Sequence, residues 1–292
     1  MATVQELKER IIHLIKNKID FTVDSNVLID LAKGDAVFLM NTLLPATNFY
    51  LTPVIADKEI LGLNQDQRFD KKIRDLLLKI RDYVIKNNKV KAGDPQLVQQ
   101  HELLLRAQVV LIPRKIAHDL LIENPDSYLN KVTGAFNHVN SLLDQGQSYE
   151  DIITILSAHT KELIDFQKTL GEKATGLLKQ KAQILDIELE DFDYDAYVRI
   201  INNIAKREVF DPINQLSEPL KDTAKIPNLA VRVASFKAAV ENIISELSEL
   251  KKKKHDADVK HIAHVLALDI ENVSSDSDQI YLIELHARRR AA

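Results

Sequence analysis

The 292-residue sequence has no cysteine and no tryptophan, and only 7 glycines, 8 prolines and 5% aromatic residues. Without cysteine there can be no disulfide, no thiolate zinc site and no cysteine nucleophile. So few turn-forming and aromatic residues argue against sandwiches, barrels and propellers, which need frequent breaks between short strands. Charge of one sign is not in excess either: 39 Lys and Arg stand against 43 Asp and Glu, a net charge of −4. Any contact with nucleic acid must therefore be local. No apolar run approaches the roughly 20 residues of a membrane span, and the opening MATVQELKERIIHLIKNK lacks the unbroken apolar stretch of a signal peptide. The expectation is a cytoplasmic protein with no membrane partner. A Walker loop, a dinucleotide-binding glycine fingerprint, a zincin helix and a serine-hydrolase elbow are all missing, so no nucleotide cofactor is indicated.

What is present is 45% hydrophobic and 28% charged residues, enough for a real core in one large domain or two. Val4, Leu7, Ile11, Leu14 and Ile15 form a helical stripe over 4–19. Phe21-Thr22-Val23 reads as a strand, followed by the polar turn Asp24-Ser25-Asn26 and a new helix. Phe49 to Thr52 is extended before Pro53, and a helix runs from there through Glu59. Helices are expected over 66–87 and 95–106, and the run Val109 to Ile112 before Pro113 reads as a buried strand. The chain then looks helical to about 210, with its longest periodic stretch over 149–185. Three prolines mark 211–227 as a loop. Helices follow over 229–254 and 256–268, then a short strand candidate opening the acidic stretch 271–278, and a last helix.

Carboxylates stand at three strand ends or helix starts: Asp24, Asp256 with Asp258, and Asp276 with Asp278. Glu59 adds a fourth position. In an open parallel α/β sheet such places converge beyond the carboxyl ends of the strands. Several carboxylates in one pocket repel one another unless protons or cations neutralise them. An all-oxygen set suits Mg²⁺ or Mn²⁺, ions that support phosphodiester hydrolysis.

Three motifs, in chain order, resemble those of the PIN-domain ribonuclease family. Val23 to Ile29 is similar to its opening strand and first aspartate, and Thr52 to Ile60 to its segment ending in a glutamate. The third is split: Asp256 to Ala263 is similar to its aspartate-alanine helix start, and Val273 to Asp278 to its strand-end serine or threonine followed by aspartate. The resemblance implies Asp24, Glu59, Asp256 and Asp276 as the catalytic, metal-binding quartet, with Asp258 or Asp278 substituting or assisting. It also implies a helix-rich α/β fold with a small, mainly parallel sheet. Residues 1–124 and 228–292 would form the PIN-like domain, and 125–227 a helical insertion. RNA is the implied substrate. Because the family includes toxins of toxin and antitoxin pairs, a protein partner or antitoxin at the helical part is a second expectation.

Ser25, Asn26 and Ser275 are placed to orient the carboxylates through hydrogen bonds. Lys251, Lys252, Lys253 and Lys254, with Arg288 and Arg289, are candidate phosphate contacts, and equally ordinary solvated helix ends. His255, His261 and His264 read as packing or surface residues rather than a zinc site. Each aspartate also has the plainer reading of a helix N-cap. If only that reading holds, the chain is an inactive PIN-like or all-helical module that binds RNA or protein.

Overall fold

Thr3 starts the first helix: its hydroxyl accepts from the Glu6 N–H at 3.2 Å, and the Glu6 carboxylate accepts in return from the Thr3 N–H at 2.6 Å. This reciprocal box satisfies backbone donors that a helix start leaves open. Helix α1 (Val4–Lys16) buries Leu7, Ile11 and Leu14 on the predicted stripe. The computed structural model describes residues 3–66, 69–215, 228–252 and 255–289. After α1 come β1 (Phe21–Val23), α2 (Ser25–Gly34), α3 (Ala36–Phe38) and β2 (Phe49–Tyr50). A π-helical turn, Val54–Glu59, leads into α4 (Ile60–Gln65), followed by α5 (Lys71–Lys86) and α6 (Pro95–Gln108). The chain continues through α7 (Pro113–His118), α8 (Tyr128–Asp144), α9 (Tyr149–Ile184), α10 (Tyr194–Ala205) and α11 (Leu229–Lys252). It then runs through α12 (Asp256–Leu268), β3 (Glu271–Val273) and α13 (Ser277–Ala287). The protein is thus helix-rich with one small parallel sheet, and no described helix is long and apolar enough to cross a membrane.

The sheet has the order β2-β1-β3, with both pairings parallel. Phe21 faces Phe49 on one side and Glu271 on the other, and Val23 faces Val273. All three residues of β1 are buried, as a central parallel strand covered on both faces requires. Phe21 and Phe49 pack with ring centroids 5.6 Å apart, joining β1 and β2 within a core that includes Leu28, Leu31, Ile55 and Val273. Because β1 lies between its neighbours, one reached forward along the chain and the other only at its far end, the strands' carboxyl ends share a topological switch point.

The chain divides into two compact units, residues 1–109 with 254–291, and residues 110–253. In this division the described residues 110–124 and 228–252 lie in the second, helical unit. There α7 packs on α9 and α10, and α11 packs on α7 and α8. In this unit Tyr128 is fully buried between Phe166 and Phe210, at 5.7 and 5.1 Å between ring centroids.

Residues 109–112 are not a strand. Val109–Leu111 is a 3-10 turn, and Ile112 precedes a helix opened by Pro113. Leu111 and Ile112 are fully buried, so the run is apolar because helices cover it, and a short apolar run carries no period that separates the two cases. Of the expected loop at 211–227, residues 211–215 are helical and the remainder lies outside the described residues.

In the first unit, Gly93 permits a close approach. A Cβ there would lie 2.5 Å from the Ala267 Cβ on α12. The Gly93 N–H donates to His264 Nδ1 at 3.2 Å, fixing the segment before α6 against the helix that carries Asp258.

Candidate functional site

The site begins with β1. Asp24 follows its last residue, and the Asp24 N–H donates to Val273 O at 3.0 Å, extending the ladder to β3. This fixes the Asp24 backbone and leaves the residue 1% exposed at the sheet edge. Asp24 occupies the N-cap position of α2, yet its side chain makes no cap hydrogen bond. The Ser274 hydroxyl lies 3.3 Å from Asp24 Oδ2 and the Ser25 hydroxyl 3.4 Å from Oδ1, both long, weak contacts.

Glu59 reaches the same edge from the far end of the π-helical turn after β2. A π turn inserts one residue into a helical path and re-aims the side chains beyond it, a feature frequent at functional sites. Arg81 of α5 steadies this turn by donating to Ala56 O at 3.0 Å and pairing with Asp57 at 3.2 Å. Glu59 Oε2 is buried and has no hydrogen-bond partner.

Of the two aspartates expected at the start of α12, Asp258 is the one whose charge acts on Asp24 and Glu59. Asp256 is 64% exposed at its side chain and pairs with Arg106 of α6 at 2.6 Å. Asp258 is 9% exposed and faces inward with Val259, His261 and Ile262. Residues two apart on a helix point about 200° apart, so only one of the two aspartates can face the sheet. His255, not Asp256, takes the N-cap position, which sets that phase.

Asp276 follows β3. It does cap α13, accepting from the Asp278 N–H at 2.9 Å, and its charge also acts on Asp24 and Glu59. Burial, then the Asp276 and Asp258 charges, push the Asp24 carboxyl from its ordinary 3.8 to about 6, against the lowering effect of a Gln279 hydrogen bond. Burial pushes Glu59 from 4.5 to about 7, with Asp24, Asp258 and Asp276 adding to the rise and a Ser25 hydrogen bond opposing it. The charges raising both groups are carboxylates, so acids from opposite ends of the chain act on Asp24 and Glu59.

A relay absent from the sequence reading positions Asp258. The Thr52 hydroxyl lies 2.8 Å from His261 Nδ1, and His261 Nε2 lies 3.1 Å from Asn272 Oδ1. Asn272 Nδ2 then donates to Gln279 Oε1 at 3.3 Å, and Gln279 Nε2 to Asp258 Oδ1 at 3.0 Å. All of these side chains are buried. Burial pushes His261 down to about 4, so the ring is neutral near pH 7. With Thr52 donating, the Nε2–H tautomer gives every hydrogen bond one donor and one acceptor. Such one-directional chains reinforce one another in a dry interior.

Other expected residues fall elsewhere. The Ser275 hydroxyl faces Asp30, at 3.4 Å, while Ser274 takes the place beside Asp24. Asn26 is exposed. Asp278 is buried, with its carboxylate 3.9 Å from His255 Nδ1. Arg288 is held by Glu284 at 3.1 Å, Arg289 is exposed, Lys251 is exposed at the end of the helical unit, and Lys253 and Lys254 lie outside the described residues. Lys252 closes α11.

The donor set fits a hard divalent cation: carboxylate oxygens, one of them buried without a partner, in a field of mutually repelling negative charge. Among the described residues, the group whose possible ligand atoms lie within 4.8 Å of one another is His118, Asp119 and Glu123 of the helical unit. There Lys181 already neutralises Asp119 at 2.5 Å. The sheet-edge acids do not form such a group. No family model, curated protein or solved structure matches this chain.

Proposed function

We propose that the protein is a divalent-cation-dependent ribonuclease of PIN-like type, with Asp24, Glu59, Asp258 and Asp276 as its acidic centre. The observation that carries this reading is that the charges of Asp258 and Asp276 act on both Asp24, which follows the central strand of the parallel sheet, and Glu59. Their order along the chain supports RNA as the substrate through the motif resemblance. Asp24 and Glu59 supply the buried oxygens, and Asp258 and Asp276 complete the set. Mg²⁺ or Mn²⁺ bound there would lower the pKa of a water and neutralise charge on a phosphodiester. The chain's own part is to orient the carboxylates: Ser274 and Ser25 beside Asp24, Gln279 on Asp258, and the relay behind Gln279. Deprotonating Asp24 and Glu59 costs free energy that a bound cation offsets.

Incubating the full chain with mixed-sequence single-stranded RNA and millimolar Mn²⁺ tests this function. Cleavage is expected, suppressed by excess chelator and lost in Asp24→Asn. Intact RNA after prolonged incubation with Mn²⁺ and with Mg²⁺ would remove the nuclease reading and leave a binding module.

A further inference from the structure

The helical unit carries a cation-sized group of its own, built on one distorted turn. Helix α7 ends at His118 and passes into a π-helical turn, Asp119–Glu123, closed by the Asn124 N–H donating to Asp119 O at 3.1 Å. On a regular α-helix, residues four apart are neighbours on one face and residues five apart are not. A π turn inserts one residue, so His118 and Glu123, five apart, take the relation of such neighbours. His118 Nδ1 accordingly lies 3.7 Å from Glu123 Oε1, and it lies 3.6 Å from Asp119 Oδ1. Ligand atoms, one from each of the three residues, all fall within 4.8 Å of one another. The imidazole is the independent sign of a ligand. Its side chain is 7% exposed, and Nε2 is buried without a hydrogen-bond partner. The Nδ1 edge is aimed at two carboxylates, yet both separations exceed a hydrogen bond. A buried ring held this way loses the bonds that water would give it. A shared cation would supply the missing partner: with nitrogen and oxygen each about 2.1 Å from a tetrahedral ion, neighbouring ligand atoms stand about 3.4 Å apart, close to the spacing here.

We propose that His118, Asp119 and Glu123 bind a late first-row divalent ion, Zn²⁺ foremost, at a site separate from the carboxylates of the sheet edge. One imidazole among oxygen donors suits Zn²⁺ and its neighbours, whereas Mg²⁺ takes oxygen ligands and keeps its waters. Lys181 of α9 does not block the site. It pairs with Asp119 Oδ2 at 2.5 Å, while Oδ1 is the oxygen nearer the ring, and a donor on the far oxygen fixes a ligating carboxylate in place. Two carboxylates and one ammonium still leave a negative charge to set against the ion. The Glu123 side chain is 57% exposed, so the ion enters from solvent and completes its shell with water.

Calorimetric titration of Zn²⁺ into the full chain carrying Asp24→Asn, which disables the sheet edge, tests this. One binding event is expected, weakened at least about tenfold by Glu123→Gln, a change at an exposed side chain. His138→Gln removes a close pair of imidazoles in the same unit, His138 Nδ1 and His159 Nε2 at 3.1 Å, and should leave the event unchanged. Nuclear magnetic resonance of the same chain labelled with ¹⁵N-histidine reads the ring without any change to it. Zn²⁺ should move one Nδ1 resonance to the position of a metal-bound nitrogen and hold that ring's proton on Nε2, a response weakened in Glu123→Gln and not reversed by excess Mg²⁺. Zn²⁺ affinity equal with and without Glu123→Gln, binding with no imidazole response, a response lost in His138→Gln, displacement by Mg²⁺, or no Zn²⁺ binding at all would each overturn the proposal. Because the titrated chain lacks the Asp24 carboxylate, each of these results leaves the nuclease reading to its own test.

Discussion

Asp258→Asn is expected to reduce RNA cleavage more than about a hundredfold, beyond what loss of a group that merely supports a metal ligand costs, while Asp256→Asn leaves the rate within about twofold. The contrast comes from the phase of one helix. Asp258 faces the sheet edge, receives the Gln279 amide and acts on both Asp24 and Glu59, whereas Asp256 is engaged by Arg106 at the surface. An exposed, solvent-screened pair of that kind contributes little to stability, so Asp256→Asn should fold normally. Initial rates with Mn²⁺ at saturating RNA, alongside melting curves for both variants, check this. Equal losses in the two variants would mean that the helix phase does not govern activity.

The second large effect is on stability without metal. Asp24 titrates near 6 in the folded chain against 3.8 as an ordinary aspartate, so folding favours its protonated form. The sign follows: stability from this group is fully present below pH 3.8 and is lost as pH rises through about 6. The rise from 3.8 to about 6 corresponds to about 3 kcal/mol. Glu59 acts in the same sense, from 4.5 to about 7, and shares the same repulsion, so the two effects do not add. His261 runs the other way. Its folded pKa is depressed to about 4, so it costs stability as pH falls below the ordinary histidine value. The useful quantity is therefore the difference between parent and Asp24→Asn. In chelator, urea unfolding should show little difference near pH 4, and near pH 8 the variant should be more stable by about 3 kcal/mol. A difference independent of pH would mean that Asp24 is not held against its charge.

How much of the site is legible in the sequence depends on whether the signal is local. Phe21 to Val23 and the polar turn after it announce a strand end, and Asp24 lies there. Thr52-Pro53 likewise locates the turn that delivers Glu59. The acidic pair at the start of α12 is legible as a pair, but not which member faces in, because that depends on where the helix begins and His255 sets it. The same one-residue ambiguity separates Ser274 from Ser275. The run at 109–112 misleads because buried helical and buried extended segments are equally apolar. The relay from Thr52 through His261, Asn272 and Gln279 to Asp258 is beyond local reading, since Thr52 and His261 are 209 residues apart in sequence and only the fold brings them together.

If the carboxylates at the sheet edge are a cation site, a melting curve near pH 8 shows it most directly. A ligand at a hundredfold excess over its Kd adds about 2.7 kcal/mol to the folded state. For a unit of this size that corresponds to about 5 °C or more. Exchanging chelator for saturating Mn²⁺ should therefore raise the melting temperature of the parent by that amount and leave Asp24→Asn nearly unmoved. A parent curve indifferent to Mn²⁺, or an equal rise in Asp24→Asn, would contradict a cation site at these carboxylates.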